Sequence, residues 1–187
     1  MPVGLLLIDI QNDYFPGGKM ALEGSDEAGQ VAGQLLAFFR RRHWPIVHIQ
    51  HIANRPGATF FLPNTPGAEI HASVKPLEAE TVIQKHYPNS FRETGLLARL
   101  QQQPIGPLVV AGMMTHMCVD ATARAATDLG FECQIAQDAC ATRALKFGDR
   151  LVSAADVHTA FLAALHGSYG QVMPASAIMA ALEKVLG

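Results

Sequence analysis

Val3-Gly4-Leu5-Leu6-Leu7-Ile8-Asp9 places an uncharged apolar run directly before a carboxylate. The run is too short to span a bilayer and lacks the basic flank of a secretion signal, so it is expected to be part of a mature, soluble N-terminus. It also lacks the polar alternation of a half-exposed strand and reads as a strand buried on both faces, which is the habit of parallel sheets covered by helices. Working outward, similar short runs recur at residues 45–50, 81–84, 108–111, 132–136 and, most weakly, 171–173. Between them, residues 26–43 carry Val31, Leu35, Leu36 and Phe39 at helical spacing, with Ser25 as the expected N-cap. Comparable stretches cover 93–102, 117–129, 153–165 and 175–186, and Gly130 stands where a C-cap glycine belongs. The alternation of strand and helix predicts an α/β fold built on a parallel sheet.

Composition agrees and removes several functions. A length of 187 residues fits one domain over 1–187, and 49% apolar residues supply a core without staples. Fourteen Lys and Arg against sixteen Asp and Glu, a net charge of −2, provide no footprint for nucleic acid. No run approaches the ~20 apolar residues a membrane span requires. The three cysteines, Cys118, Cys133 and Cys140, are odd in number and sparse, which favours a reducing, cytoplasmic setting over a disulfide framework. Residues 52–76 depart from the pattern: Pro56, Gly57, Pro63, Pro66, Gly67 and Pro76 surround Phe60 and Phe61, as in a long binding loop.

Ligands of parallel sheets collect beyond the carboxyl ends of the strands. Asp9 follows the first run, Lys85 the third, and Cys118 lies shortly after the fourth in Gly112-Met113-Met114-Thr115-His116-Met117-Cys118-Val119. If these edges are neighbours, a carboxylate, an ammonium and a thiol share one pocket. A thiol at the start of a helix beside an ammonium is expected to have a lowered pKa, and the carboxylate can take its proton and return it to a leaving amine. Cys133 reads as core, Cys140 carries no assigned chemistry, and Asp120 with Arg124 reads as a structural pair at helical spacing.

These residues carry a resemblance. Leu7-Ile8-Asp9-Ile10-Gln11-Asn12-Asp13, Pro63-Asn64-Thr65-Pro66-Gly67-Ala68-Glu69-Ile70, Lys85, Ser90-Phe91, the stretch from Gly112 through Arg124, and Asp138-Ala139-Cys140-Ala141 resemble the isochorismatase-like cysteine hydrolase family over most of the chain. The resemblance implies a three-layer Rossmann-like fold, a six-stranded parallel sheet flanked by helices. It also implies a catalytic Asp9-Lys85-Cys118 triad and a cis Met113–Met114 peptide that presents the Met114 N–H beside that of Cys118 as an oxyanion hole. The nicotinamide-hydrolysing members carry a metal-binding Asp-x-His after the second strand, where this chain has Gln50-His51-Ile52-Ala53. No metal or other cofactor is therefore expected; His48, His51, His71 and His86 are scattered, and His48 and His51 point to opposite faces of a strand.

The reaction expected is hydrolysis of a carbon–nitrogen bond, amide or ureido, of a small molecule through a thioester. Phe15, Phe60, Phe61 and His116 are candidate pocket residues. The mobile-looking Phe60-Phe61 loop and the family habit point to a homo-oligomer, dimer or tetramer, with neither nucleic acid nor membrane as partner. Three alternatives stand beside it: vinyl-ether hydrolysis of the isochorismatase type, disfavoured because Cys118 is present; a thiol redox sensor with Cys140 or Cys133 resolving an oxidised Cys118; and a silent binding subunit. No serine-hydrolase elbow, P-loop, dinucleotide fingerprint or C-x-x-C occurs.

Overall fold

The computed structural model of the chain describes residues 2–102 and 105–186. Strands β1 (Gly4–Ile8), β2 (Ile46–His51), β3 (Thr81–Lys85), β4 (Leu108–Met113), β5 (Cys133–Ala141) and β8 (Gln171–Met173) form one sheet in the order β3-β2-β1-β4-β5-β8. All neighbours in it are parallel. Helices α1 (Ser25–Arg41) and α5 (Ala175–Leu186) cover one face, and α2 (Leu96–Gln101), α3 (Asp120–Asp128) and α4 (Ala154–Leu165) the other. Side chains of a strand alternate between faces. Leu5 and Leu7 of β1 accordingly pack with Leu35, Leu36 and Phe39 of α1 and Ile178 of α5, while Leu6 and Ile8 pack with Leu96, Ala123, Ala126 and Leu162. The uninterrupted apolar run of β1 is thus the signature of a middle layer, and the architecture is the expected six-stranded α/β sandwich.

Strand order reverses at β1, which lies between β2 and β4, and the crevice at such a switch point is where open α/β sheets bind ligands. The register puts Ile8 opposite Gly112 and His51 opposite Lys85, so the chemistry-bearing residues emerge along one edge. Gly112 allows the close approach of β4 to β1. Its φ is +145°, and a Cβ there would lie 2.1 Å from the Ile8 carbonyl oxygen.

Several local expectations are corrected. Ser25 does not cap α1; Gly24, at φ +71°, is the N-cap, and the Ser25 hydroxyl instead donates to the Leu22 carbonyl at 3.2 Å. The helix expected over 93–102 is only Leu96–Gln101, because the chain is still turning at Glu93, whose φ is +56°. Strand β5 runs on to Ala141: Val110 pairs with Ile135 but Gly112 with Cys140. The intervening residues bulge out, and Asp138 accepts the Ala175 N–H at 2.7 Å, holding the start of α5. A hairpin of β6 (Leu145–Phe147) and β7 (Arg150–Val152) was not anticipated. Gly130, at φ +91°, follows α3 as expected.

The long loop is tied down rather than mobile. Gln11 donates through Nε2 to the carbonyls of His51 (2.9 Å) and Ala68 (2.8 Å) and accepts the His51 N–H at 2.7 Å. Asp13 accepts the Phe61 N–H at 2.7 Å, and the His71 N–H donates to the Ile10 carbonyl at 2.9 Å. Among the described residues no helix is long and apolar enough to cross a membrane.

Candidate active site

Asp9 leaves β1 in the left-handed region, φ +51°, with its N–H donated to the Ile49 carbonyl at 3.0 Å and its side chain wholly buried. Lys85 ends β3, two strands away, and adjacent strands lie about 4.8 Å apart, so its side chain must reach some ~10 Å across the end of β2. A lysine is long enough to do so. Its Nζ donates to Asp9 Oδ2 at 2.6 Å and to the Tyr87 carbonyl at 3.0 Å, and lies 3.3 Å from Cys118 Sγ. His51, at the end of the strand it crosses, offers Nδ1 at 3.0 Å. Four acceptors thus compete for three N–H groups.

Burial, with the positive charges of Lys85, His86 and Arg55 adding to it, pushes the His51 pKa down to about 3. The ring is neutral, so Nδ1 accepts from the ammonium and the proton sits on Nε2. Burial alone would lower the Lys85 pKa, but the Asp9 carboxylate and the neighbouring sulfur raise it, and the ammonium stays charged.

Cys118 corrects an expectation. The segment Thr115–Val119 is a π-helical turn in which the N–H groups of Met117 (3.0 Å) and Val119 (3.3 Å) both donate to the Met114 carbonyl, and α3 begins only at Asp120. The sulfur is therefore not seated in the first turn of an ordinary helix. Burial pushes its pKa up, the Asp9 charge adds to that, and Lys85 opposes without prevailing. Burial thus works against the lowered pKa expected for this sulfur and favours a resting thiol. Burial likewise raises the Asp9 carboxyl against the pull of Lys85. A more basic carboxylate beside a protonated thiol is an arrangement in which the proton moves as the sulfur attacks. Asp9 Oδ1 is buried with no partner, whereas such atoms are nearly always satisfied, so it is free to take a proton or a ligand N–H.

The peptide Met113–Met114 is cis. Of the candidate pocket residues, only Phe60 lines a cleft beside the triad, where it faces His51, Arg55 and His86. Phe15 is core, its ring stacked on His71 at 3.5 Å; Phe61 is core too, its ring 4.6 Å from that of Tyr14. His116 turns to Thr142, 2.6 Å away, and meets Phe161 edge-on. Missed from the sequence were His51 as a neighbour of Lys85, Gln11 as the clamp on His51, and buried Tyr14. The Tyr14 pKa is raised chiefly by burial, so it stays a neutral phenol. The position of His51 at a strand end was the one available signal.

One oxygen of Asp9, one nitrogen of His51 and the sulfur of Cys118 lie within 4.8 Å of one another, a possible set of metal donors. The Lys85 ammonium is within hydrogen-bond distance of all three residues, so a cation there must share the space with an existing positive charge. The trio is better matched to the ammonium. His48 points away, as expected, its Nε2 2.9 Å from Glu80 Oε2. Asp120 and Arg124 form an i,i+4 pair at 2.9 Å, and Cys133 and Cys140 are buried.

An α/β sheet with aspartate, lysine and cysteine meeting at its switch point defines a class of hydrolase, and comparison identifies the family. The isochorismatase-domain profile matches residues 3–176. The isochorismatase family protein YddQ of Bacillus subtilis is 53% identical over 96% of this chain and 99% of its own length. A solved isochorismatase-family structure from Oleispira antarctica superposes with a TM-score of 0.92 at 48% identity, covering 96% of each chain. Streptothricin hydrolase of Streptomyces noursei is 37% identical over 74% of this chain, which spans 49% of that enzyme. The chain belongs to the isochorismatase family of hydrolases.

Proposed function

We propose that the protein hydrolyses a small-molecule amide or ureido bond, with Cys118 as nucleophile, Asp9 as the group that moves the proton, and Lys85 as the charge that holds both. Asp9 takes the thiol proton as sulfur attacks the carbonyl carbon. The developing oxyanion is received by the N–H groups of Met114 and Cys118, each such donor being worth roughly 3 kcal/mol in a transition state. Asp9 then gives the proton to the departing nitrogen, ammonia or an amine leaves, and a thioester remains (a thiocarbamate from a ureido group). Asp9 next takes a proton from water, the hydroxide attacks, and the sulfur departs and is reprotonated as the acid is released. Lys85 keeps Asp9 ionised at the start of each cycle and keeps its charge balanced inside a buried site.

The observation that carries this reading is the single ammonium within 3.3 Å of both the Asp9 carboxylate and the Cys118 sulfur. Kinship with a named streptothricin hydrolase supports hydrolysis of a small molecule, and the thiol of Cys118 favours carbon–nitrogen cleavage over vinyl-ether cleavage. The test is ammonia release from a panel of primary carboxamides and ureido acids, paired with intact-mass detection of an acyl group on Cys118. Cys118→Ala is expected to abolish turnover and adduct. Near-normal turnover by that variant would overturn the covalent step.

A further inference from the structure

His51 belongs to two places at once: one face of its surroundings is the triad, the other a small cleft that the hydrolytic chemistry does not use. We infer that this cleft is the specificity subsite and that it takes a carboxylate carried a few bonds from the scissile carbonyl, recognised by Arg55. The inference rests on the hydrolase reading above and names its substrate class.

The cleft has a volume of about 70 Å³. Whole-ligand pockets run to ~300–1,000 Å³, so it admits a small terminal group and not a ring system. Its walls are Phe60 on the apolar side and Asn54, Arg55, His51 and His86 on the polar side, with no carboxylate among the lining residues. Asp9, the acid across His51, is already engaged by Lys85. Arg55 is exposed and, like Arg41, Arg99, Arg143 and Arg150, forms no ion pair among the described residues, and it is the arginine that lines this cleft. Arg55 and His86 bring basic side chains to the cleft itself, and Lys85, whose charge Asp9 balances, lies beyond His51.

The position is also held ready. The Ile52 N–H donates to the Lys85 carbonyl at 2.9 Å and the Ala53 N–H to the Phe61 carbonyl at 2.8 Å, and the turn closes from Ala58 N–H to the Arg55 carbonyl at 3.3 Å. His86 donates from Nδ1 to the Ile52 carbonyl at 2.7 Å. A planar guanidinium on a tethered turn suits the two oxygens of a carboxylate. One ring nitrogen of His51 lies within 4.8 Å of ligand atoms of Asp9 and Cys118, and the same residue lines the cleft, so an anion held there would sit beside the imidazole that neighbours the attacking sulfur.

The experiment uses matched pairs that differ only in charge: succinamate with succinamide, and N-carbamoyl-β-alanine with its primary amide. Succinate, which has nothing to hydrolyse, is titrated separately by calorimetry. Wild type is expected to favour the anionic member of each pair by tenfold or more in kcat/KM. Arg55→Gln is expected to remove that preference, chiefly through KM of the anionic member, and to weaken succinate binding at least tenfold; Arg55→Lys restores part of both. Equal turnover of the two members, or succinate binding indifferent to Arg55→Gln, overturns the subsite. Succinate binding that depends on Arg55, without hydrolysis of any pair or an adduct on Cys118, upholds the subsite and counts against the hydrolase reading instead.

Discussion

Lys85→Met removes the one positive charge from a buried cluster while keeping most of the side chain's volume. Asp9 then loses the 2.6 Å bond that balances it, and Oδ1 already has no partner, so a wholly buried carboxylate is left without compensation. Breaking such a pair typically costs about 3–5 kcal/mol. Removal of the ammonium pushes the Asp9 pKa, already raised by burial, further up. The sign follows: a folded-state pKa above the unfolded one means the native variant holds the extra proton. Its deficit against wild type is smallest in acid, where Asp9 is protonated in both, and grows as pH rises through the range in which only the variant still holds the proton. Urea denaturation of wild type and Lys85→Met from pH 4.5 to 8, followed by Trp44 fluorescence, reads this directly. Asp9→Asn in the same chain is expected to remove the pH-dependent part. A deficit under ~1 kcal/mol at pH 7.5, or one that does not change with pH, would refute the reasoning that the cluster is a tightly coupled buried ion pair.

The raised thiol of Cys118 implies that its alkylation by iodoacetamide climbs through pH 8–9 without levelling off, and a plateau already reached at pH 7 would show a resting thiolate instead. Gly112→Ala puts a Cβ 2.1 Å from the Ile8 carbonyl in a left-handed conformation; the expected loss is ~3 kcal/mol or more, measured as a fall in the urea midpoint, with little soluble protein as the extreme. Glu80 has burial raising its pKa, but Arg40, the Leu77 N–H and His48 bring it down to about 2. Its contribution, roughly 2–3 kcal/mol, is therefore complete above pH ~4.5 and lost as pH falls toward 2. Glu80→Gln should differ from wild type near neutrality and converge with it in acid, which acid titration followed by circular dichroism checks.

Much of the site was legible because its parts lie at the ends of predictable strands. Asp9 follows an apolar run whose burial on both faces needs no knowledge of its neighbours, and Lys85 follows another. The rest depended on what lies beside what. Phe15, Phe60 and Phe61 are indistinguishable as apolar letters in one loop-rich neighbourhood; only packing sends Phe15 onto His71, buries Phe61 under Asp13, and leaves Phe60 at the cleft. The helix inferred from 117 onward begins later because residues 115–119 form a π turn, a difference of hydrogen-bond register that residue types do not report.

The sequence by itself determined the layered α/β class and the carboxylate, ammonium and thiol available at strand ends, because periodicity and residue chemistry are local properties. Only the tertiary structure decided the burial that favours the thiol, the neutral His51 placed against Lys85, and the place of Arg55 in the adjoining cleft. Those depend on burial and on distances of a few ångströms between segments far apart in the chain, and Coulomb and desolvation energies are set by such distances and not by spacing along the backbone.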